Sequence, residues 1–149
     1  MKMRAILDFI HTIITVILAQ GTVIKLSYEY RTHVPLVVPW KVSKETNKGR
    51  TIAGLFIVLN TRYLKEVNYE WDVVTHTVYH EYRHVWQLVY HTEVFFWWGQ
   101  HRELYRRHYR DDVCSIEADA RAFGDSLGEE NRKDLLLKYN TKWLEDHFV

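Results

Sequence analysis

The stretch WDVVTHTVYHEYRHVWQLVY, residues 71–90, decides how the rest of the chain is interpreted. No glycine or proline interrupts it, so it predicts one long helix. Asn68 is the predicted N-cap, and Asp72 lies in the first turn, where negative charge is favourable. Four apolar residues recur at helical spacing and form a predicted buried face: Val74, Val78, Val85 and Leu88.

Within this helix, residues 80–84 read His-Glu-Tyr-Arg-His, an HExxH motif. His80 and His84 are one turn apart on one face, so both imidazoles can reach the same ion. Zinc binds histidine nitrogen, and catalytic zinc sites have three protein ligands plus an open position for water. Glu81 points aside from the metal but stays close enough to take a proton from water that the metal activates. The motif therefore predicts a zinc site with Glu81 as general base.

The third ligand has to come from elsewhere, and residues 115–123, SIEADARAF, offer it. Small alanines flank Glu117 and allow close approach of two helix backbones, which a short carboxylate at a shared metal requires. Arg121 follows one turn later and could orient that carboxylate. Asp119 is the competing ligand, on a different face of the same helix. We favour Glu117.

Further residues near the motif have more than one interpretation. His76 precedes the motif by one turn and is interpreted as a packing or supporting histidine, with ligation as the alternative. The hydroxyl of Tyr105 or Tyr109 could stabilise an oxyanion, although both could be core or rim aromatics, and Tyr109 is the predicted catalytic residue. Cys114 is expected to be a buried, inert thiol rather than a metal ligand. Gln87 is expected to pack or to cap a backbone group.

The N-terminal apolar stretch, which ends near Ala19, could pass for a secretory signal. However, a polar stripe at helical spacing interrupts it: Arg4, Asp8, His11 and Thr15. The opposite face is apolar: Ile6, Phe9, Ile10, Ile13, Ile14 and Ile17. Because a signal or a membrane span should be apolar all round, we predict an amphipathic core helix and no membrane span. Cytoplasmic location follows, with export as the alternative if the helix is a signal.

The remaining elements predict an α+β domain whose strands lie near the N-terminus. Gly21 permits a turn, and Ile24 to Tyr30 alternate as in a half-buried strand. Residues 34–42 form an extended segment that two prolines limit to an edge, and 43–50 form an exposed loop. Further elements are a strand at Thr51 to Asn60 and helices at 92–109, 115–127 and 129–147.

Length and composition favour a single domain over residues 1–149. Hydrophobic residues make up 47% of the chain, the formal net charge is +1, and one cysteine excludes an internal disulfide framework. Residues 95–98 are predicted core aromatics. The arginines of residues 102–110 are diluted by acids and indicate a solvated face rather than a nucleic-acid site.

The sequence HEYRHVWQ with the downstream glutamate helix resembles the short gluzincin metallopeptidases, including the minigluzincins, over roughly residues 50–125. The resemblance implies that His80, His84 and Glu117 hold one Zn²⁺ ion per chain and that Glu81 is the base. It also implies a zincin-like fold, in which a small twisted sheet packs on the active-site helix and the strand at 51–60 lines the cleft. Relatives often carry Asp or Asn where this chain has Arg121.

These features predict a zinc-dependent endopeptidase that binds a peptide or protein substrate in extended form along that strand. The alternative is a zinc-stabilised regulatory or interaction module without turnover, which would need the three ligands but not Glu81. A peptidase that binds nucleic acid through its arginine segment is a further alternative, and salt-dependent binding would be its sign.

Overall fold

The computed structural model describes residues 2–41, 47–92, 95 and 116–131. This part is an α+β arrangement of a three-stranded mixed sheet and four helices, which confirms the predicted α+β class. The elements, in chain order, are α1 (Met3–Tyr30), β1 (Leu36–Trp40), β2 (Gly49–Ile52), β3 (Phe56–Asn60), α2 (Thr61–Glu66), α3 (Trp71–Tyr90) and α4 (Ile116–Asp125).

The sheet has the strand order β1-β3-β2, so β3 is central. β1 runs parallel to β3, with Val37 opposite Ile57, and β2 runs antiparallel to β3, with Thr51 also opposite Ile57. Pro39 lies in β1, an outer strand, as predicted from the missing backbone donor of proline. Because β3 is hydrogen-bonded on both sides, the edge nearest α3 belongs to β2.

The prediction of one strand over residues 51–60 is wrong, because a tight turn divides it into β2 and β3. Ala53 and Gly54 both have positive φ values, 52° and 68°, which end the extended conformation. A Cβ atom at Gly54 would meet the Leu88 side chain of α3, and the φ value of 68° is left-handed, so glycine is favoured there. β2 also begins at Gly49, inside the predicted loop.

The predicted turn at Gly21 and the predicted strand at Ile24–Tyr30 are also wrong, since α1 continues to Tyr30. Ala19, Val23 and Leu26 are buried at helical spacing and hold this half of the helix against the core. The helix ends at Arg31, whose φ of 57° is left-handed and whose N–H bonds to the Ser27 carbonyl. The burial of apolar residues at helical spacing therefore decided the structure of this segment, rather than the alternation of polar and apolar residues at 24–30.

The first half of α1 is oriented opposite to the prediction. The apolar face predicted to be buried is exposed, with Phe9 at 66% and Ile17 at 64%, whereas Thr15 of the predicted polar stripe is 3% exposed. The Thr15 hydroxyl donates to the His11 carbonyl at 2.8 Å, which makes its burial possible. Among the described helices, α1 is long and apolar enough to cross a membrane by length and composition.

The helix α3 lies at the centre of the described core, in contact with α1, α4 and the sheet. Its bounds agree with the prediction, but Glu70 is its N-cap residue and Asn68 lies in a left-handed turn at φ 53°. The helix α4 confirms the prediction at 115–127, while α2 was not predicted. The predicted helices at 92–109 and 129–147 lie almost entirely outside the described residues.

Candidate metal centre

The three predicted metal ligands meet where α3 faces the first turn of α4. His80 Nε2 lies 3.2 Å from Glu117 Oε2, and His84 Nε2 lies 3.1 Å from Glu117 Oε1. One donor atom from each residue lies within 4.8 Å of the other two, so the group could hold a metal ion. The helical spacing of the HExxH motif brings the histidines together, and the packing of α4 on α3 brings the glutamate to them.

The electrostatics of this group favour a cation. Burial lowers the pKa of His84, but the hydrogen bond and the charge of Glu117 outweigh this effect and raise that pKa to about 9. Burial likewise raises the pKa of Glu117, yet hydrogen bonds from His80 and His84 hold it well below its usual range. A metal cation would take the place of the proton on His84. Two imidazole nitrogens and a carboxylate oxygen are a donor set that suits zinc.

The far side of the His84 ring is fixed by Gln87. His84 Nδ1 lies 2.8 Å from Gln87 Oε1, and Gln87 Nε2 donates to the Ile116 carbonyl at 3.0 Å and to Asp119 Oδ2 at 2.8 Å. Because both neighbours of Nε2 are acceptors, Oε1 must accept a proton from Nδ1, which leaves His84 Nε2 as the metal-binding atom. The bond to Ile116 confirms the predicted backbone contact, but the role toward His84 was missed. A signal was available in the spacing HExxHxxQ.

Asp119, the alternative ligand considered from the sequence, forms an ion pair with Arg83 instead. Its carboxylate forms two bonds with the fully buried Arg83, at 2.7 Å to Nε and 3.1 Å to Nη2. The Arg83 guanidinium also lies over the Trp86 ring, with its central carbon 3.7 Å from the ring centroid. Asp119 therefore neutralises a buried arginine and is not one of the three grouped ligands. The burial of Arg83 was not predicted, because arginine is usually exposed and its partner Asp119 is distant in the chain.

His76 and Gly124 show how closely α3 and α4 pack. His76 Nδ1 lies 2.9 Å from the Gly124 carbonyl oxygen, which agrees with the packing role predicted for this histidine. A Cβ atom on Gly124 would lie 2.7 Å from the His76 carbonyl oxygen and 3.0 Å from His80 Cβ. Ala120 is fully buried on the same side of α4. Small residues therefore permit the close approach that was expected, and Gly124 is the member that the sequence analysis missed.

The predicted base, Glu81, is buried between α3 and β2. The Thr51 hydroxyl lies 2.6 Å from Glu81 Oε2 and 2.9 Å from the Glu81 carbonyl oxygen. Gly49 allows β2 to come this close, since a Cβ atom there would lie 3.3 Å from Glu81 Cγ and 3.2 Å from Thr77 Cγ2. Thr51 could not be identified from the sequence, because its contact with Glu81 depends on the position of β2.

The roles predicted for several other residues stay predictions. Tyr105, Tyr109 and Cys114 lie outside the described residues, as do the arginine segment and the aromatics at 96–98. Arg121 is exposed, and its orienting role toward Glu117 stays a prediction. Phe95 does pack against the core, as predicted, and its ring centroid lies 6.1 Å from that of His84.

Comparisons with protein-family models, with curated proteins and with solved structures found no match for this chain. The resemblance to short gluzincins therefore depends on the motif residues themselves.

Proposed function

We propose that this chain is a zinc-dependent endopeptidase of gluzincin type, with a zincin-like arrangement of sheet and active-site helix. The observation that carries the proposal is the convergence of His80, His84 and Glu117 with Glu81 on the adjacent side of α3. A purely structural site requires the three ligands but gives no reason for a buried carboxylate on the residue after His80, held by the Thr51 hydroxyl.

Each residue of the proposed active site has a separate role in peptide hydrolysis. When bound, Zn²⁺ supplies a Lewis acid that polarises the scissile carbonyl group and makes water more acidic. Glu81 accepts the proton from the attacking water and later donates it to the leaving amine nitrogen. The Thr51 hydroxyl holds Glu81 Oε2, so Oε1 is the oxygen available for this transfer. Tyr109 is a further proposed participant, as an oxyanion donor, for which Tyr109→Phe is the test.

The strand β2 provides the binding edge for an extended peptide. It pairs with β3 on one side, and within the described residues no strand pairs with its other side. A substrate backbone can add to such an edge through main-chain hydrogen bonds. Because Thr51 in β2 contacts Glu81, a peptide bound there passes close to the base. This role belongs to β2 alone, rather than to the whole predicted strand at 51–60.

Metal analysis and cleavage assays on three proteins test the proposal: the wild type, Glu81→Gln and His84→Ala. We expect about one zinc per chain in the wild type and in Glu81→Gln, and little in His84→Ala. Cleavage of a quenched fluorescent peptide library should fall about 10²–10⁴-fold in Glu81→Gln, because the proton acceptor is lost. Unchanged cleavage by Glu81→Gln at normal zinc content would contradict the proposal.

The second candidate function is a zinc-stabilised module without turnover. The buried network of Arg83, Asp119 and Gln87 behind His84 favours it, because such a network also rigidifies a structural site. In that case zinc raises the melting temperature of the wild type and of Glu81→Gln equally, and no peptide in the library is cleaved by either protein.

A further inference from the structure

The outer face of α1 is a continuous apolar surface, here defined by Ile6, Phe9, Ile10, Ile13, Ile17 and Leu18. These side chains are between 38% and 66% exposed. The face spans about 18 Å at a rise of about 1.5 Å per residue. Contiguous apolar surface of this kind marks an interaction site with a protein or a membrane.

The outer face of α1 has few ionisable groups near it. Between residues 5 and 24 the ionisable side chains are Asp8 and His11. Asp8 lies on the other side of α1, where Lys65 is 3.9 Å away and the Tyr69 hydroxyl is 3.4 Å away. The His11 ring packs edge-on against the Tyr69 ring, with centroids 5.2 Å apart. Asp8 therefore lies toward the protein, whereas His11 is exposed and contacts Tyr69 at the margin of the outer face. The outer face itself has the composition of a surface that contacts hydrocarbon.

A group of basic side chains borders the outer face. Lys2, Arg4, Lys41 and Lys65 line one groove of about 870 Å³ together with Phe9 and Ile13, and Asp8 is the one acidic residue lining it. Trp40, 69% exposed, lines the same groove. Tryptophan is favoured at the boundary between hydrocarbon and headgroups, and clustered lysine and arginine are favoured near anionic lipid.

The inner face of α1 is attached to the rest of the protein. Gln20 donates through Nε2 to the Pro35 carbonyl at 3.1 Å and accepts from the Val37 N–H at 2.8 Å. The Tyr82 hydroxyl lies within hydrogen-bonding distance of the Leu26 carbonyl, at 3.2 Å. A helix that crossed the bilayer would lose these bonds and the burial of Ala19 and Val23. These contacts favour a helix that lies along the membrane surface.

We propose that the outer face of α1 binds the surface of a lipid bilayer that carries anionic headgroups. The helix lies parallel to the membrane, its apolar side chains enter the headgroup boundary, and Lys2, Arg4 and Lys41 contact the anionic lipids. This proposal is independent of the peptidase function, since none of these residues belongs to the metal centre.

Vesicle flotation with the full chain tests this surface. We compare phosphatidylcholine vesicles with vesicles that also contain phosphatidylglycerol, at low and high salt, for the wild type, Leu18→Asp and Leu55→Asp. Leu18 and Leu55 are 46% and 55% exposed, so neither change buries a charge, and both alter the net charge equally. Circular dichroism checks that both variants are folded.

We expect the wild type to bind anionic vesicles roughly tenfold more tightly than neutral ones, and less at high salt. Leu18→Asp should weaken binding about tenfold, while Leu55→Asp stays close to the wild type. Binding that both variants retain would place the lipid contact elsewhere and overturn the proposal. Absence of vesicle binding also overturns the proposal. In that case, a concentration-dependent dimer that Leu18→Asp dissociates would assign the face to a second copy of the chain.

Discussion

At the scale of single residues, the candidate site depends on a chain of buried polar groups behind the metal ligands. His84 contacts Gln87, Gln87 contacts Asp119, and Asp119 is paired with Arg83. Each of these four side chains is buried, so each needs the next one to satisfy its hydrogen bonds or its charge. The orientation of the His84 imidazole therefore depends, through Gln87, on the salt bridge between Asp119 and Arg83.

Gln87→Met tests the link between this chain of contacts and the metal. Methionine keeps approximately the volume of glutamine but cannot accept the His84 Nδ1 proton, so the ring loses its fixed orientation. We expect zinc affinity to fall about 10–100-fold, measured by competition with a chromophoric chelator.

Gln20→Met is the matched control for Gln87→Met. Gln20, like Gln87, uses both ends of its amide, but its partners are backbone groups, and it lies on α1, away from the metal centre. The Gln20→Met variant should be less stable than the wild type but should bind zinc with the same affinity. Equal affinities for the wild type and Gln87→Met would show that Gln87 does not orient His84.

Asp119→Asn tests the buried ion pair. The substitution leaves Arg83, which is 0% exposed, without its carboxylate, so we expect the free energy of unfolding to fall by about 3–5 kcal/mol in urea titrations. Asp8→Asn makes the same chemical change in a pair with an exposed lysine, 3.9 Å away, and should cost less than about 1 kcal/mol. Similar losses in the two variants would contradict the role of Asp119 as the partner of a buried charge.

At the scale of elements, the site is made by two helices, α3 and α4, that leave no room for a Cβ atom at Gly124. The carbonyl of Gly124 on α4 contacts His76 of α3, and Gly124 follows Glu117 by two helical turns on one side of α4. The spacing between the two helices at Gly124 therefore controls how far Glu117 is from the two histidines. On the opposite side of α3, β2 approaches through Gly49 and fixes Glu81.

Gly124→Ala should disturb the metal centre through this spacing. The added methyl group would lie 2.7 Å from a backbone oxygen of α3, so α4 has to move away. We expect a loss of about 1–3 kcal/mol in stability, together with weaker zinc binding, measured by urea unfolding and chelator competition.

Gly21→Ala serves as the control glycine, because it lies within α1 and nothing lies within 4 Å of its added Cβ atom. There alanine should stabilise the protein by about 0.5–1 kcal/mol through helix propensity. If Gly124→Ala were also more stable than the wild type and bound zinc normally, Gly124 would not control the spacing between α3 and α4.

At the scale of the whole molecule, the charges of the metal centre make the stability of the metal-free protein depend on pH. The pKa of His84 is raised to about 9, so protonated His84 stabilises the fold fully below its ordinary value near 6.5. This contribution is lost as the pH rises through 9. The pKa of Glu117 is lowered, so its contribution is present above its ordinary range and is lost as the pH falls.

We therefore expect the melting temperature of chelator-treated protein to fall between about pH 6.5 and 9, measured by scanning calorimetry. Glu117→Gln should flatten that part of the profile, because the carboxylate that raises the pKa of His84 is gone. An equally steep fall in Glu117→Gln would assign the pH dependence to other groups.

The local features of this protein were predictable because they depend on neighbours within one or two helical turns. The HExxH spacing predicted α3 and the pairing of His80 with His84, and the alanines around Glu117 predicted a helix that packs closely. Proline chemistry predicted that β1 lies at an edge. In each case the residue types favour one local geometry over its alternatives.

What the sequence by itself determined is thus the central helix, the predicted set of metal ligands and the α+β class. The tertiary structure alone decided which side of α1 is buried, where β2 ends and which groups surround His84 and Glu81. The physical reason is that the spacing of apolar residues shows which faces a helix has, but not which face packs against the rest of the protein. Thr15 became buried and Ile17 exposed because Ala19 and Val23 fix that side of α1 against the core. Arg83, Asp119 and Thr51 likewise acquired their roles only when distant segments brought a charge or a hydrogen-bond partner to them.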